Sequence, residues 1–314
     1  MDIRTMVPEQ IERERLLPLQ EKIDGLSEMK PEEQFFLNGI VRAFKPKKSL
    51  ELGISAGGGS AIILNAIRDI DGSTLHSVDY SERWYKDHRK RSGFVVEERC
   101  PELRGKWRLH AGGVAARFID EIGDGIDFCL IDTAHVLPGE VLDFLMVCPF
   151  FHKGTVVVFH DLCLHTWPQV RARNSFASSL IFNAIDEPKI TIRAIDPPML
   201  FPNIGAVQID NDMPKVDYID DLLRFLTFPW KYVPSPEETD EILYHFSKHY
   251  RPDQVDLLRR IFFFQRENGA SRLKMQVNRF KLLTVQLMTG LIPVKKWRKR
   301  ARAFFVDKLY GTAR

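Results

Sequence analysis

The 314-residue chain is 44% hydrophobic and 28% charged, the composition of a soluble globular protein with room for one large or two modest domains. Its four cysteines, Cys100, Cys129, Cys148 and Cys163, form no CxxC pair, which argues against a disulfide scaffold or a zinc finger. The net charge of +3 hides an asymmetry: residues 271–314 hold twelve Lys or Arg against one acid, Asp307, so this stretch carries +11 and the remainder −8.

A basic tail on an acidic body points to an acidic partner for the tail. The opening MDIRTMVPEQIERERL is charged where a signal peptide needs an apolar run, and no window approaches the ~18 apolar residues of a membrane span. The expected location is the cytoplasm.

The first 45 residues read as a helical cover: IERERLLPLQEKIDGL, then Pro31 at a first-turn position ahead of EEQFFLNGIVRAF. From residue 46 to 210 short apolar runs alternate with helical stretches, the pattern of a parallel sheet covered by helices. Candidate strands are 49–54, 74–80, 107–112, 127–133, 155–161, 191–196 and 204–210. The last two are joined by DPPMLFPN, whose three prolines forbid a crossover helix and suit an antiparallel return at the sheet edge. The expected fold is thus α/β: a Rossmann-like, seven-stranded, mostly parallel sheet with an antiparallel last strand. Residues 211–290 read as a helical appendage, and 291–314 as a basic amphipathic tail.

The first strand runs into SAGGGSAIILNAI, so Gly53, Gly57, Gly58 and Gly59 occupy a strand-to-helix turn and Ser60 is placed to cap the helix. Glu51 lies just before the glycines, and Asp79 closes the second strand, where a carboxylate can accept both ribose hydroxyls of an adenosyl ligand. A nicotinamide dinucleotide would use an acid there too, but it requires G-x-G-x-x-G, and this turn reads Gly53-Ile-Ser-Ala-Gly-Gly-Gly. The acid before the turn suits a ligand carrying an ammonium group.

LELGISAGGGS, HSVDY, LIDTAHVLPGEVLDF and GTVVVFHDL together resemble the class I S-adenosylmethionine-dependent methyltransferases, in the branch of small-molecule and bacterial glycan O-methyltransferases. The resemblance covers roughly residues 30–210. It implies that S-adenosylmethionine (SAM) binds Glu51, Gly53, Gly57, Gly58, Ser60, Asp79, Gly112 and Asp132, and that a sugar hydroxyl in a surface glycan or secondary metabolite is the acceptor.

Asp132 closes a buried strand with His135 three residues on, and TVVVFHD delivers His160 and Asp161 to the end of the next, so all four converge on one sheet edge. Either His135 or His160 acts as general base toward the acceptor, or Asp132, His160 and Asp161 hold a divalent ion. The metal-dependent relatives carry an oxygen donor where His160 stands, so Mn²⁺ is easier to accommodate than Mg²⁺. The His-Asp pair can also simply cap a turn. Trp167 and Pro168 could wall the acceptor pocket. The other histidines, His245 and His249 among them, have no comparable context and read as ordinary surface or core residues.

The tail interleaves Trp297, Phe304 and Phe305 with Lys295, Lys296, Arg298, Lys299, Arg300 and Arg302. It could lie on an anionic membrane surface as a peripheral anchor on the inner face of the plasma membrane, or stay a solvated basic helix. It carries no RNA-binding motif, and no nucleic-acid partner is expected. Two other classes stay open: a nicotinamide-dependent oxidoreductase, and a non-catalytic, membrane-associated glycan-assembly factor.

Overall fold

The structure, a computed structural model, describes residues 2–167, 175–193 and 200–268. Pro168, residues 194–199 and the tail readings therefore lie outside the described residues. Residues 1–261 form one compact unit and 262–314 a second; of the second, 262–268 are helical.

The N-terminal cover is less helical than its sequence pattern suggests. Three 3₁₀ turns, Ile3–Thr5, Pro8–Gln10 and Arg13–Arg15, precede α1 (Leu17–Ile23), and only α2 (Pro31–Phe44) is long. Pro8 and Pro18 interrupt the amide ladder, and Glu12 at φ +47° breaks the direction of the chain. Pro31 opens α2 as expected, and the Glu33 carboxylate accepts from the Lys30 amide at 2.7 Å.

Beyond α2 come β1 (Lys48–Leu52), α3 (Gly58–Ile67), β2 (Thr74–Asp79), α4 (Phe94–Glu98), β3 (Trp107–Ala111), α5 (Ile119–Ile122), β4 (Ile126–Ile131), α6 (Gly139–Val147) and β5 (Phe151–Phe159). Then follow α7 (Ala177–Ala184), β6 (Lys189–Thr191), β7 (Gly205–Gln208), α8 (Tyr218–Phe225) and α9 (Pro236–His249), and residues 252–268 are helical. The strand order is β3-β2-β1-β4-β5-β7-β6. The first five strands pair in parallel, while β7 is antiparallel to both β5 and β6. The antiparallel return is therefore observed, but β6 sits earlier than expected, with Lys189 opposite Val207 and Thr191 opposite Gly205.

Both faces of the sheet are covered, which is why the central strands read as continuous apolar runs. Leu130, Val156 and Val158 point toward Phe36, Ile40, Ile62 and Ile63 of α2 and α3 in one core cluster. Side chains alternate along a strand, so Phe159 faces the other way, where its ring meets Phe144 of α6 at 6.0 Å and Phe182 of α7 at 6.2 Å. This frame leaves the carboxyl ends of β1, β2, β4 and β5 side by side, at the edge where open α/β sheets bind ligands.

Candidate active site

Gly53 follows β1 at φ +86°, and a Cβ there would lie 2.0 Å from the backbone oxygen of Asp132. Only glycine lets the ends of β1 and β4 come so close. Gly57, at φ +102°, is the residue that caps α3. Ser60 does not cap, contrary to expectation: it lies inside the helix, and its buried hydroxyl donates to Glu51 Oε2 at 2.5 Å.

Glu51 is the partner of that hydroxyl. Its carboxyl is turned into the interior, 1% exposed, where Oε2 also accepts from Ser77 at 2.6 Å. Burial, opposed by these two hydroxyls but supported by the nearby Asp132 and Asp79, pushes it up to about 8. Bonded to two hydroxyls, this carboxyl braces the glycine turn from behind.

Asp79 closes β2 where the sequence placed it. Its Oδ2 accepts from the amides of Ile54 (2.9 Å) and Ser55 (3.1 Å), and Oδ1 from Ser81 (2.8 Å), so the acid is tied to the glycine turn. Burial raises it against the pull of those amides. Gly112, at φ +93°, donates to the Asp79 carbonyl at 3.0 Å and completes this side of the site.

Asp132, His135, His160 and Asp161 do come together. His160 Nδ1 lies 3.2 Å from Asp132 Oδ1 and 3.7 Å from Asp161 Oδ1. His135 Nε2 lies 3.1 Å from Asp161 Oδ2 and 3.8 Å from Asp132 Oδ1. His135 and Asp161 both adopt positive φ, +56° and +57°, a conformation uncommon outside glycine and kept where surrounding contacts enforce it.

Three residues without a sequence signal complete the cluster. Glu140, fully buried at the start of α6, faces His135 Nδ1 at 3.0 Å with Oε1 and accepts from Ser178 at 2.6 Å with Oε2. Glu33 of α2 faces His160 Nε2 at 3.2 Å. Asn203 donates to both Glu33 Oε1 (3.1 Å) and Asp161 Oδ1 (2.9 Å). A Glu at the third position of a helix reads as a cap, and nothing local says that it reaches a strand end 127 residues away.

The electrostatics follow from these contacts. Burial alone would lower His135, but the hydrogen bond and charge of Glu140, then Asp161 and Asp132, raise it to about 9. His160 is likewise held well above the ordinary imidazole value, Asp132 and Asp161 outweighing its burial. Burial would raise Asp132, but the charge and hydrogen bond of His160, with His135, hold it below the usual carboxylate range.

The anticipated metal set needs correction. His160 is 2% exposed, with its Nε2 turned to the buried Glu33. The three groups whose atoms cluster within 4.8 Å are Asp132, His135 and Asp161. That set fits Mg²⁺ poorly, because the ion takes oxygen donors and the His135 ring holds a proton between two acids. Trp167, suggested as a pocket wall, has a buried indole N–H without a hydrogen-bond partner among the described residues.

Residues 50–162, from β1 to just past the end of β5, match a family model described as a methyltransferase domain. The segment so matched is a methyltransferase domain, and it holds the glycine turn, Asp79 and the cluster of Asp132, His135, His160 and Asp161. Solved structures similar to it include the O-methyltransferase TomG from Streptomyces achromogenes, involved in tomaymycin synthesis and in complex with SAM, at 15% identity and TM-score 0.44, with 63% of this chain and 90% of that one covered. Others are an O-methyltransferase from Bacillus cereus in complex with SAH (16% identity, TM-score 0.45, 62% and 91% covered) and an SAH-bound methyltransferase from Podospora anserina (12%, 0.46, 63% and 88%). No curated protein matches the chain. None of the described helices is long and apolar enough to cross a membrane.

Proposed function

We propose that the chain transfers the methyl group of SAM to a hydroxyl oxygen, with His135 as the base that takes the hydroxyl proton. The observation that carries this reading is the His135 ring at the sheet edge, with Nδ1 on the buried Glu140 and Nε2 directed at Asp161 and Asp132. A carboxylate on one imidazole nitrogen fixes the tautomer and leaves the other for proton transfer. The acceptor oxygen attacks the methyl carbon in line as the carbon–sulfur bond breaks, and the hydroxyl proton passes to His135 Nε2. Positioning supplies most of the acceleration. Asp132, Asp161, Glu140 and Glu33 outnumber the two imidazoles among them, an acidic surrounding that suits a sulfonium cation.

In this reading SAM lies across Gly53, Gly57, Gly58, Asp79, Gly112 and Asp132, its carboxylate toward the amides at the start of α3, with Glu51 and Ser60 bracing the turn from behind. Asp79→Ala is expected to weaken SAM about tenfold or more in calorimetric titration, since hydrogen bonds of roughly 1.5–3 kcal/mol to a charged group are lost. Glu51→Gln should change it only a few-fold. The reverse ranking would restore Glu51 as a direct ligand and remove the ribose assignment.

The acceptor we infer is a sugar hydroxyl of a bacterial glycan or secondary metabolite, and this rests on the family resemblance alone. The tail, with its +11 charge beside Trp297, Phe304 and Phe305, is read as an anchor to anionic lipid. The full chain should co-sediment with anionic vesicles and lose that binding at high salt or when 291–314 are deleted. Equal binding to neutral vesicles would leave the segment a solvated basic helix.

A further inference from the structure

Away from the methyl-transfer site, Asp120 of α5 and His245 and His249 of α9 bring a carboxylate and two imidazoles together, one ligand atom of each lying within 4.8 Å of the others. The histidines are four residues apart on one helix, so both rings leave the same face, their centroids 4.7 Å apart. His245 is 1% exposed. Its Nε2–H donates to the Met146 carbonyl at 2.7 Å, which fixes the tautomer and leaves Nδ1 as a bare lone pair. That atom is buried without a hydrogen-bond partner. What faces it is Asp120 Oδ1 at 3.6 Å, itself electron-rich. With its ring proton held on Nε2 by the Met146 carbonyl, His245 places none between the two atoms. A buried lone pair left facing a carboxylate oxygen is unfavourable unless a cation lies between them.

We propose that Asp120 Oδ1, His245 Nδ1 and His249 Nε2 form a site for a divalent transition metal, zinc foremost, with water completing the coordination on the open Asp120 side. Ligand atoms around tetrahedral zinc, at bonds of 2.0–2.1 Å, are separated by about 3.4 Å. The two imidazole–carboxylate separations here are 3.4 and 3.6 Å. Two nitrogen donors select zinc over magnesium or calcium, and the Met146 carbonyl on the outer nitrogen of His245 is the support that metal-bound imidazoles usually carry. Lys248 occupies the other Asp120 oxygen, Oδ2, at 2.5 Å, which leaves Oδ1 for the ion. Bound there, the ion clips α9 to α5, alongside the Arg117–Glu241 ion pair at 2.8 Å that joins the same two regions. Nothing in this site depends on the assignment of methyl transfer.

The test is calorimetric titration of the tag-free full chain with Zn²⁺, in wild type, His249→Gln, Asp120→Asn and Asp161→Asn. The His249 and Asp120 side chains are 26% and 38% exposed, so neither substitution leaves a buried hole, and circular dichroism checks the fold. One zinc equivalent is expected in wild type and Asp161→Asn. In His249→Gln and Asp120→Asn the affinity should fall by more than the roughly 10–100-fold that loss of an outer-shell partner causes. Zinc should also raise the melting temperature of wild type and not of those two variants. The proposal is overturned if wild type takes up no zinc, if both variants still bind it, or if only Asp161→Asn loses it, which would put the ion at the methyl-transfer site instead.

Discussion

In His135→Gln, turnover falls by about 10²–10⁴, the usual contribution of a positioned general base, while SAM affinity stays within a few-fold. Asp161→Asn should fall in the same direction, because the ring then loses the acid 3.1 Å from Nε2. The pH profile carries the sharper expectation. His135 is raised to about 9, so near neutrality most of it holds the proton that a base must lack. kcat/KM of wild type should therefore rise with pH and level off near that value, as the free-enzyme pKa dictates. When SAM binds, the sulfonium adds a positive charge nearby and should move the corresponding limb of kcat to lower pH. His135→Gln should abolish the limb as well as the rate. A profile flat from neutral pH upward in wild type, or an intact limb in His135→Gln, would sink the assignment of His135 as base. Sensitivity to a chelator, reversed by Mn²⁺, would favour a metal at Asp132, His135 and Asp161 over proton transfer.

The strands of this fold were legible because β4 and β5 are buried on both faces and so read as apolar runs with few interruptions. Their ends were legible for the same reason: in TVVVFHD the first polar residues after the run are His160 and Asp161. What the run does not say is which side each of the two faces. Successive side chains near a strand end point to opposite sides, and it is His160 that turns inward against Glu33 while Asp161 turns toward His135. His135, not His160, therefore joins Asp132 and Asp161 in the set whose ligand atoms converge. Glu33, Glu140 and Asn203 were missed for a different reason, since each enters from an element whose local pattern serves another purpose, two at helix starts and one before β7. Ser60 is a different case, because a serine beside glycines suggests a cap, and only the packing of α3 onto β1 shows its hydroxyl bonded to the Glu51 carboxyl. In the N-terminal cover the helical pattern of residues 11–26 is broken at Pro18, so that only Leu17–Ile23 is α-helical there.

The N-terminal cover is expected to hold the site together through one residue, and Glu33→Ala should show it. Glu33 is 5% exposed and accepts from His160, the Lys30 amide and Asn203. Removing it leaves a buried imidazolium short of one partner and two donors unsatisfied, a class of change that destabilises by about 3–5 kcal/mol. Asp132 and Asp161 still face His160 on its other nitrogen, so the lower end, about 3 kcal/mol, is expected in urea unfolding. The pH dependence has a definite sign. His160 is raised, so its pairing stabilises fully below about 6.5, the unfolded imidazole value, and is lost as pH rises through the folded one. For Glu33, burial is outweighed by the hydrogen bond and charge of His160, and the lowered carboxyl stabilises above about 4.3 and stops doing so as pH falls through its folded value. Both contributions are present between those limits, so the deficit of Glu33→Ala should be largest there and shrink at more acidic pH. A well-packed double replacement, Glu33→Leu with His160→Leu, should recover part of the loss, because it removes the buried charge along with its partner. If Glu33→Ala unfolds within about 1 kcal/mol of wild type, the pair contributes nothing to the fold. The ordering of His160, and through it of Asp132, must then come from the sheet alone.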